Sequence, residues 1–184
     1  MQYKLTTPVT RADLATLKAG DTVLLSGTVY TARDAAHKRM MELLDNGQDL
    51  PFPVEGSALY YVGPTPERPG DIIGSAGPTT SGRMDAYSPR LLDLGQAIMI
   101  GKGARSRAVK DAVVRNGAVY LAALGGAGAL MAASVKELKI ICWEDLGCEA
   151  VRRLEVRDFP LTVILDAHGG DLYDSGPAAY LNSL

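Results

Sequence analysis

Along the chain, short apolar blocks alternate with stretches of helical periodicity. Thr10 is placed to cap a first helix, with Asp13 at its third position and Gly20 at its stop. That helix turns Leu14 and Leu17 inward. "DTVLLSGTVY" is apolar and β-branched, and predicts a strand. "TARDAAHKRMMELLDNG" repeats the helix grammar, with Thr31 as cap, Asp34 three residues on and Asn46-Gly47 as the end. Ala36, Met40, Leu43 and Leu44 form its apolar stripe. "LPFPVEGS" is a proline-broken loop. "ALYYVGPTP" and "DIIGSAG" predict buried strands on either side of the stiff turn "GPTPERPG".

"GSAGPTTSGRMDAY" then runs from strand into a predicted helix, and Ser88-Pro89 starts another. "AIMIG" and "AVYLAAL" are short apolar strands around a helix from about Ala104 to Arg115. "GGAGALMAAS" opens a further helix. "ELKIICW", "LEVRDFP" and "LTVILDA" predict strands, and "HGGD" a tight turn. Helices alternate with buried strands in the middle, and strands cluster late. The pattern predicts an α/β fold with a mixed sheet, as one domain over residues 1–184.

Composition narrows the classes. The 184 residues are 47% apolar and 22% charged, enough to bury a real core. A net charge of −2, with no basic-aromatic module, argues against nucleic acid as partner. No apolar segment approaches the roughly 20 residues that span a bilayer, so no membrane is expected. "MQYKLTTPVT" lacks a signal pattern, and the expected location is cytoplasmic. Cys142 and Cys148 are the only cysteines, too few for an iron–sulfur cluster. His37 and His168 are the only histidines and lie far apart, so no metal is expected on this chain.

The candidate chemistry is cationic. Arg83 lies four residues after Thr79, and both can face one ligand if Thr79 starts a helix. Arg83 could then grip a carboxylate with two parallel hydrogen bonds. Alternatively, Thr79 or Thr80 only caps the helix and Arg83 pairs with Asp85. Arg33 opens the helix after a strand, either at a site or paired with Asp34. Lys102 follows a buried strand in "IGKGAR", where glycines permit close approach to a ligand or simply form a solvated loop. His37 is placed to support the Arg33 helix. "GGAGAL" lacks the third glycine and the acidic residue of a dinucleotide site. Three cations near glycines suit a small dianionic acid.

These residues resemble a known family. "LLSGTVYTARDAAHKRM", "YYVGPTPERPGDIIGSAGPTTSGRMD", "MIGKGAR", "AVYLAALGGAGAL" and "EDLGCEAVRRLEVRDFPLTVILDAHG" are similar, in this order, to the β part of iron–sulfur hydro-lyases, the class I fumarate hydratases and L(+)-tartrate dehydratases. The resemblance covers almost the whole chain. It implies a swivelling β/β/α fold, and a separate α subunit carrying a 4Fe-4S cluster with one open iron. It implies a C4-dicarboxylate substrate and a heterotetramer of two α and two β subunits. It places Arg33, Arg83 and Lys102 on substrate carboxylates or hydroxyl, and Thr79 at the carbon that gains or loses a proton. His37 and Asp34 would be supports. "DLGCEA" departs from the family, which usually has proline where this chain has Cys148. The expected activity is reversible hydration of fumarate to (S)-malate. The alternatives are L(+)-tartrate dehydration and a non-catalytic dicarboxylate-binding module.

Overall fold

The alternation within each apolar strand resolves into two separate cores. The computed structural model describes residues 1–183. Five strands pair in parallel in chain order: β1 (Gln2–Thr7), β2 (Thr22–Thr31), β3 (Ala58–Tyr60), β4 (Ile98–Gly101) and β5 (Val119–Ala122). β6 (Val135–Cys142) and β7 (Val151–Leu165) complete a mixed sheet, paired antiparallel with each other. β7 is long enough to meet β5 near its end and to run antiparallel to nearly all of β2, from Thr31 opposite Arg152 to Thr22 opposite Thr162. The pairings β2–β3–β4–β5–β7–β2 therefore close a ring, with β1 and β6 flanking it. Closure satisfies strand edges that would otherwise be left open.

Successive strand residues point to opposite faces. On one face Leu25, Val29, Tyr60, Ile100, Leu121 and Phe159 pack together. On the other, Leu59, Tyr61, Met99 and Tyr120 meet Ala36 and Met40 of α2 (Asp34–Asp45), Leu91 of α3 (Ser88–Asp93), and Val109 and Val113 of α4 (Arg107–Asn116). The mixed sheet with helices packed on it is the class expected from the sequence. Among the described residues, no helix is long and apolar enough to cross a membrane.

Several local expectations change. The first helix, α1, is only Arg11–Leu14, although Thr10 caps it as expected and Leu14 and Leu17 are fully buried. Thr31 does not cap α2; it ends β2, where pairing to β7 claims its backbone, and Arg33 takes the cap position. The buried stripe of α2 is Ala36, His37 and Met40, while Leu43 and Leu44 are half-exposed. "DIIGSAG" is a loop, because Thr65 and Ser75 bond each other: the Thr65 N–H donates to Ser75 O at 3.1 Å, and the Ser75 N–H donates to Thr65 Oγ1 at 2.8 Å. "LEVRDFP" and "LTVILDA" merge into β7, bent at Asp158 with φ 49°. The helix expected after Thr79 is a 3₁₀ turn, Ser81–Met84. α5 (Gly128–Ala133) forms where expected. β1 and the last helix, α6 (Leu172–Leu181), carry no clear sequence signal; α6 contains Ser175-Gly176-Pro177, which reads as a break.

Candidate active site

The carboxyl ends of the adjacent parallel strands β2, β3 and β4 form a common rim, the end of a parallel α/β sheet at which ligands commonly bind. Arg33 lies just beyond β2 and Lys102 directly follows β4. Between them, the segment from Gly77 to Thr80 crosses the end of β3. Pro78 bridges to Val62 and Thr80 to Lys102. The Thr79 N–H donates to Tyr61 O at 2.8 Å. One residue on, Ser81 locks the crossing to β4: its N–H donates to Lys102 O at 2.8 Å, and its Oγ accepts the Lys102 N–H at 3.0 Å. The buried Tyr120 hydroxyl lies 2.9 Å from Ser81 Oγ and 2.9 Å from Gly103 O. This contact demands glycine at position 101, where a Cβ would sit 1.9 Å from Ser81 Oγ.

Arg33, Asp34 and Arg83 meet in one ion-pair cluster. Arg83 Nε is 2.8 Å from Asp34 Oδ1. Arg33 Nη2 is 3.8 Å from Asp34 Oδ2 and 3.3 Å from Glu149 Oε1. Arg83 therefore does not pair with Asp85, which instead binds Arg105 Nε and the Ser106 N–H, each at 2.6 Å. The Arg33 guanidinium lies against the backbone of Gly63, where a Cβ would come within 2.7 Å of Nη1. Arg33 Nε and Asp34 Oδ2 are buried and make no hydrogen bond within the described residues. Unpaired buried polar atoms are costly, and each calls for a partner. Arg83 is half-exposed at 52%, and Lys102 is exposed. The rim is an open face. A cleft of about 550 Å³ beside Ile72 and Ala129 contains none of Arg33, Thr79, Arg83 or Lys102.

His37 is fully buried behind this rim. Its Nδ1 lies 2.9 Å from Arg33 O, and its backbone N–H donates to the same carbonyl at 2.8 Å. A carbonyl only accepts, so the ring proton sits on Nδ1 and Nε2 carries a lone pair without a partner. Burial pushes its pKa down to about 4, and the ring is neutral at pH 7. Tyr61 and Tyr87 pack on it at 5.5 and 5.8 Å between ring centroids. His37 thus braces the carbonyl of Arg33 from within the core.

Burial raises the Cys142 thiol to about 11, and Cys148 is exposed. Among the described residues no group of three His, Cys, Asp or Glu side chains could hold a metal ion. The two cysteines alone fall short of the usual four-thiolate ligand set of an iron–sulfur cluster. Sequence reasoning missed Glu149, Ser81 and Tyr120. Ser81 lies inside the motif that drew attention to Thr79 and Arg83, but Glu149, at the end of a 3₁₀ segment, and Tyr120, on β5, reach the site from distant parts of the chain and no local pattern marks them.

The family model described as Fumarase C-terminus matches residues 1–176. Fumarate hydratase 2 of Leishmania major is 41% identical over 169 residues, covering 89% of this chain and 29% of that protein. The aerobic class I fumarate hydratase of Escherichia coli K12 is 39% identical over 164 residues, 88% of this chain and 30% of that protein. A putative L(+)-tartrate dehydratase subunit beta of Methanocaldococcus jannaschii is 40% identical over 172 residues, 90% of this chain and 88% of that protein. The chain thus spans under a third of these fumarate hydratases and most of the tartrate dehydratase subunit.

Proposed function

This chain belongs to the fumarase C-terminus family, and from that premise we propose that it is the β subunit of a hydro-lyase acting on a four-carbon dicarboxylate, with fumarate and (S)-malate as the substrate pair. The observation that carries the reading is the clustering of Arg33 and Arg83 on Asp34, beside Thr79 and Lys102, on one open rim. Two arginines suit the two carboxylates of such a substrate, because each fork offers paired donors. Lys102 adds a compact charge where negative charge grows in the transition state. Thr79 is the proposed proton-transfer group. Its hydroxyl precedes a four-residue 3₁₀ turn and has no α-helix dipole behind it, so the neighbouring cations and a partner surface must lower its cost of ionisation.

The family's 4Fe-4S cluster, which would supply the Lewis acid for the departing hydroxyl, is assigned in this proposal to an α subunit, because the described residues of this chain hold no ligand set for it. The open rim supports a shared site that the α subunit closes. The full proposal is a cytoplasmic heterotetramer of two α and two β subunits. A second reading, L(+)-tartrate dehydratase, is favoured by one observation: the chain covers 88% of the archaeal tartrate dehydratase subunit but only 29% and 30% of the two fumarate hydratases.

Anaerobic assays of the assembled complex with malate, fumarate and L-tartrate, and of the chain alone, test both readings. The expected result is an inert lone chain and a complex that hydrates fumarate and loses activity in air. Turnover by the metal-free lone chain would overturn the shared site. Preference for L-tartrate would select the second reading. Tight malate binding by the lone chain, with no partner recovered from pull-down, would leave a binding module.

A further inference from the structure

We infer that Glu149 is a positioning residue whose carboxylate fixes the Arg33 guanidinium for a substrate carboxylate. The inference rests on the hydro-lyase reading, since it needs Arg33 to bind substrate. Glu149 ends the 3₁₀ segment Glu144–Glu149 that leads into β7. Its two oxygens have different partners. Oε1 lies 3.3 Å from Arg33 Nη2, and Oε2 accepts the Ala35 N–H at 3.0 Å. The second bond matters because α2 starts without a cap of its own: Arg33 holds the cap position and its side chain makes no capping bond. One carboxylate therefore fixes both the helix that carries Arg33 and the group that Arg33 presents.

Glu149 is itself held firmly. Its side chain is 20% exposed. Arg152 gathers the carbonyls around it: Nη1 donates to Cys148 O at 2.9 Å and Ala150 O at 3.0 Å, and Nη2 donates to Gly147 O at 2.9 Å. Thr31 Oγ1, at the end of β2, accepts the Arg152 N–H at 3.0 Å and ties this clamp to the strand that delivers Arg33. Asp34 cannot do the same work alone, since it is farther from Arg33 at 3.8 Å and is shared with Arg83 at 2.8 Å. A guanidinium fork discriminates by geometry, so a side chain held in place before ligand arrives loses less freedom on binding.

Glu149→Gln separates the two roles: the amide oxygen still accepts from Ala35, but the negative charge facing Arg33 is gone. The test is a double-mutant cycle on the assembled complex, comparing wild type, Glu149→Gln, Arg33→Lys and the double variant by kcat, KM for malate and Tm. The expected result is a KM raised about tenfold or more by Glu149→Gln, with Tm held within about 2 °C. In the Arg33→Lys background the same change should add less than about twofold. An equal penalty in both backgrounds, or an unchanged KM, would overturn the inference. If Glu149→Gln lowers Tm further, Glu149→Asp enters the same cycle and must show the same loss of effect without Arg33. A wild-type complex that turns over none of malate, fumarate and L-tartrate overturns the hydro-lyase reading and this inference with it. An active wild type with additive variants overturns this inference alone.

Discussion

Arg83 reaches Asp34 through Nε, which leaves its terminal nitrogens for a ligand. Lysine has one nitrogen and cannot serve both. Arg83→Lys is expected to cost the complex about 2–5 kcal/mol of transition-state stabilisation in kcat/KM, and steady-state kinetics with malate would measure it. Unchanged turnover would remove Arg83 from the site. His37 gives a prediction of a different kind. The unfolded chain binds a proton at this histidine as pH falls through about 6.5, while the folded chain resists protonation until about 4. Stability is therefore lost between those pH values, on the order of 3 kcal/mol in total, and His37 contributes no further loss below them. Imidazole resonances followed by NMR should show a neutral ring, with the proton on Nδ1, down to about pH 5; a midpoint above 6 would contradict the buried placement. Residue types at the rim were readable because arginine, lysine and threonine among glycines serve no packing purpose. Their actual partners were not: Arg83 chose Asp34 over the nearer-in-sequence Asp85, because Asp85 is taken by the buried Arg105.

At the scale of elements, the short apolar strands β3, β4 and β5 were legible because burial on both faces leaves an uninterrupted apolar run. α4 was legible within a few residues, and Ser106 caps it through Val109 N–H. The turn carrying Arg83 was not, since its backbone follows the bridges to Val62 and Lys102 rather than its own propensity. The join between β4 and that turn is the most sensitive contact. Gly101→Ala would drive a Cβ into Ser81 Oγ and displace Lys102 with it. A stability loss of about 1–3 kcal/mol is expected from chemical denaturation, together with reduced kcat/KM in the complex. Unaltered stability and activity would mean that Ser81 does not set Lys102.

Across the whole molecule, β7 holds the ring together by pairing with β2, β5 and β6 at once. Both cores draw on it, through Phe159 on one face and Ile164 on the other. Neither core can open without parting the ring. The chain is therefore expected to unfold in one cooperative step, with far-UV circular dichroism and Trp143 fluorescence giving coincident denaturant curves. Separated transitions would divide it into two domains. The sequence by itself determined the class of the fold and marked the cations that gather at the rim, because strand periodicity, turn residues and a surplus of cations near glycines are local properties. Only the tertiary structure decided the ring, the Asp34 bridge and the reach of Glu149 to Arg33. Those depend on which distant segments meet, and local residue preferences do not encode that choice.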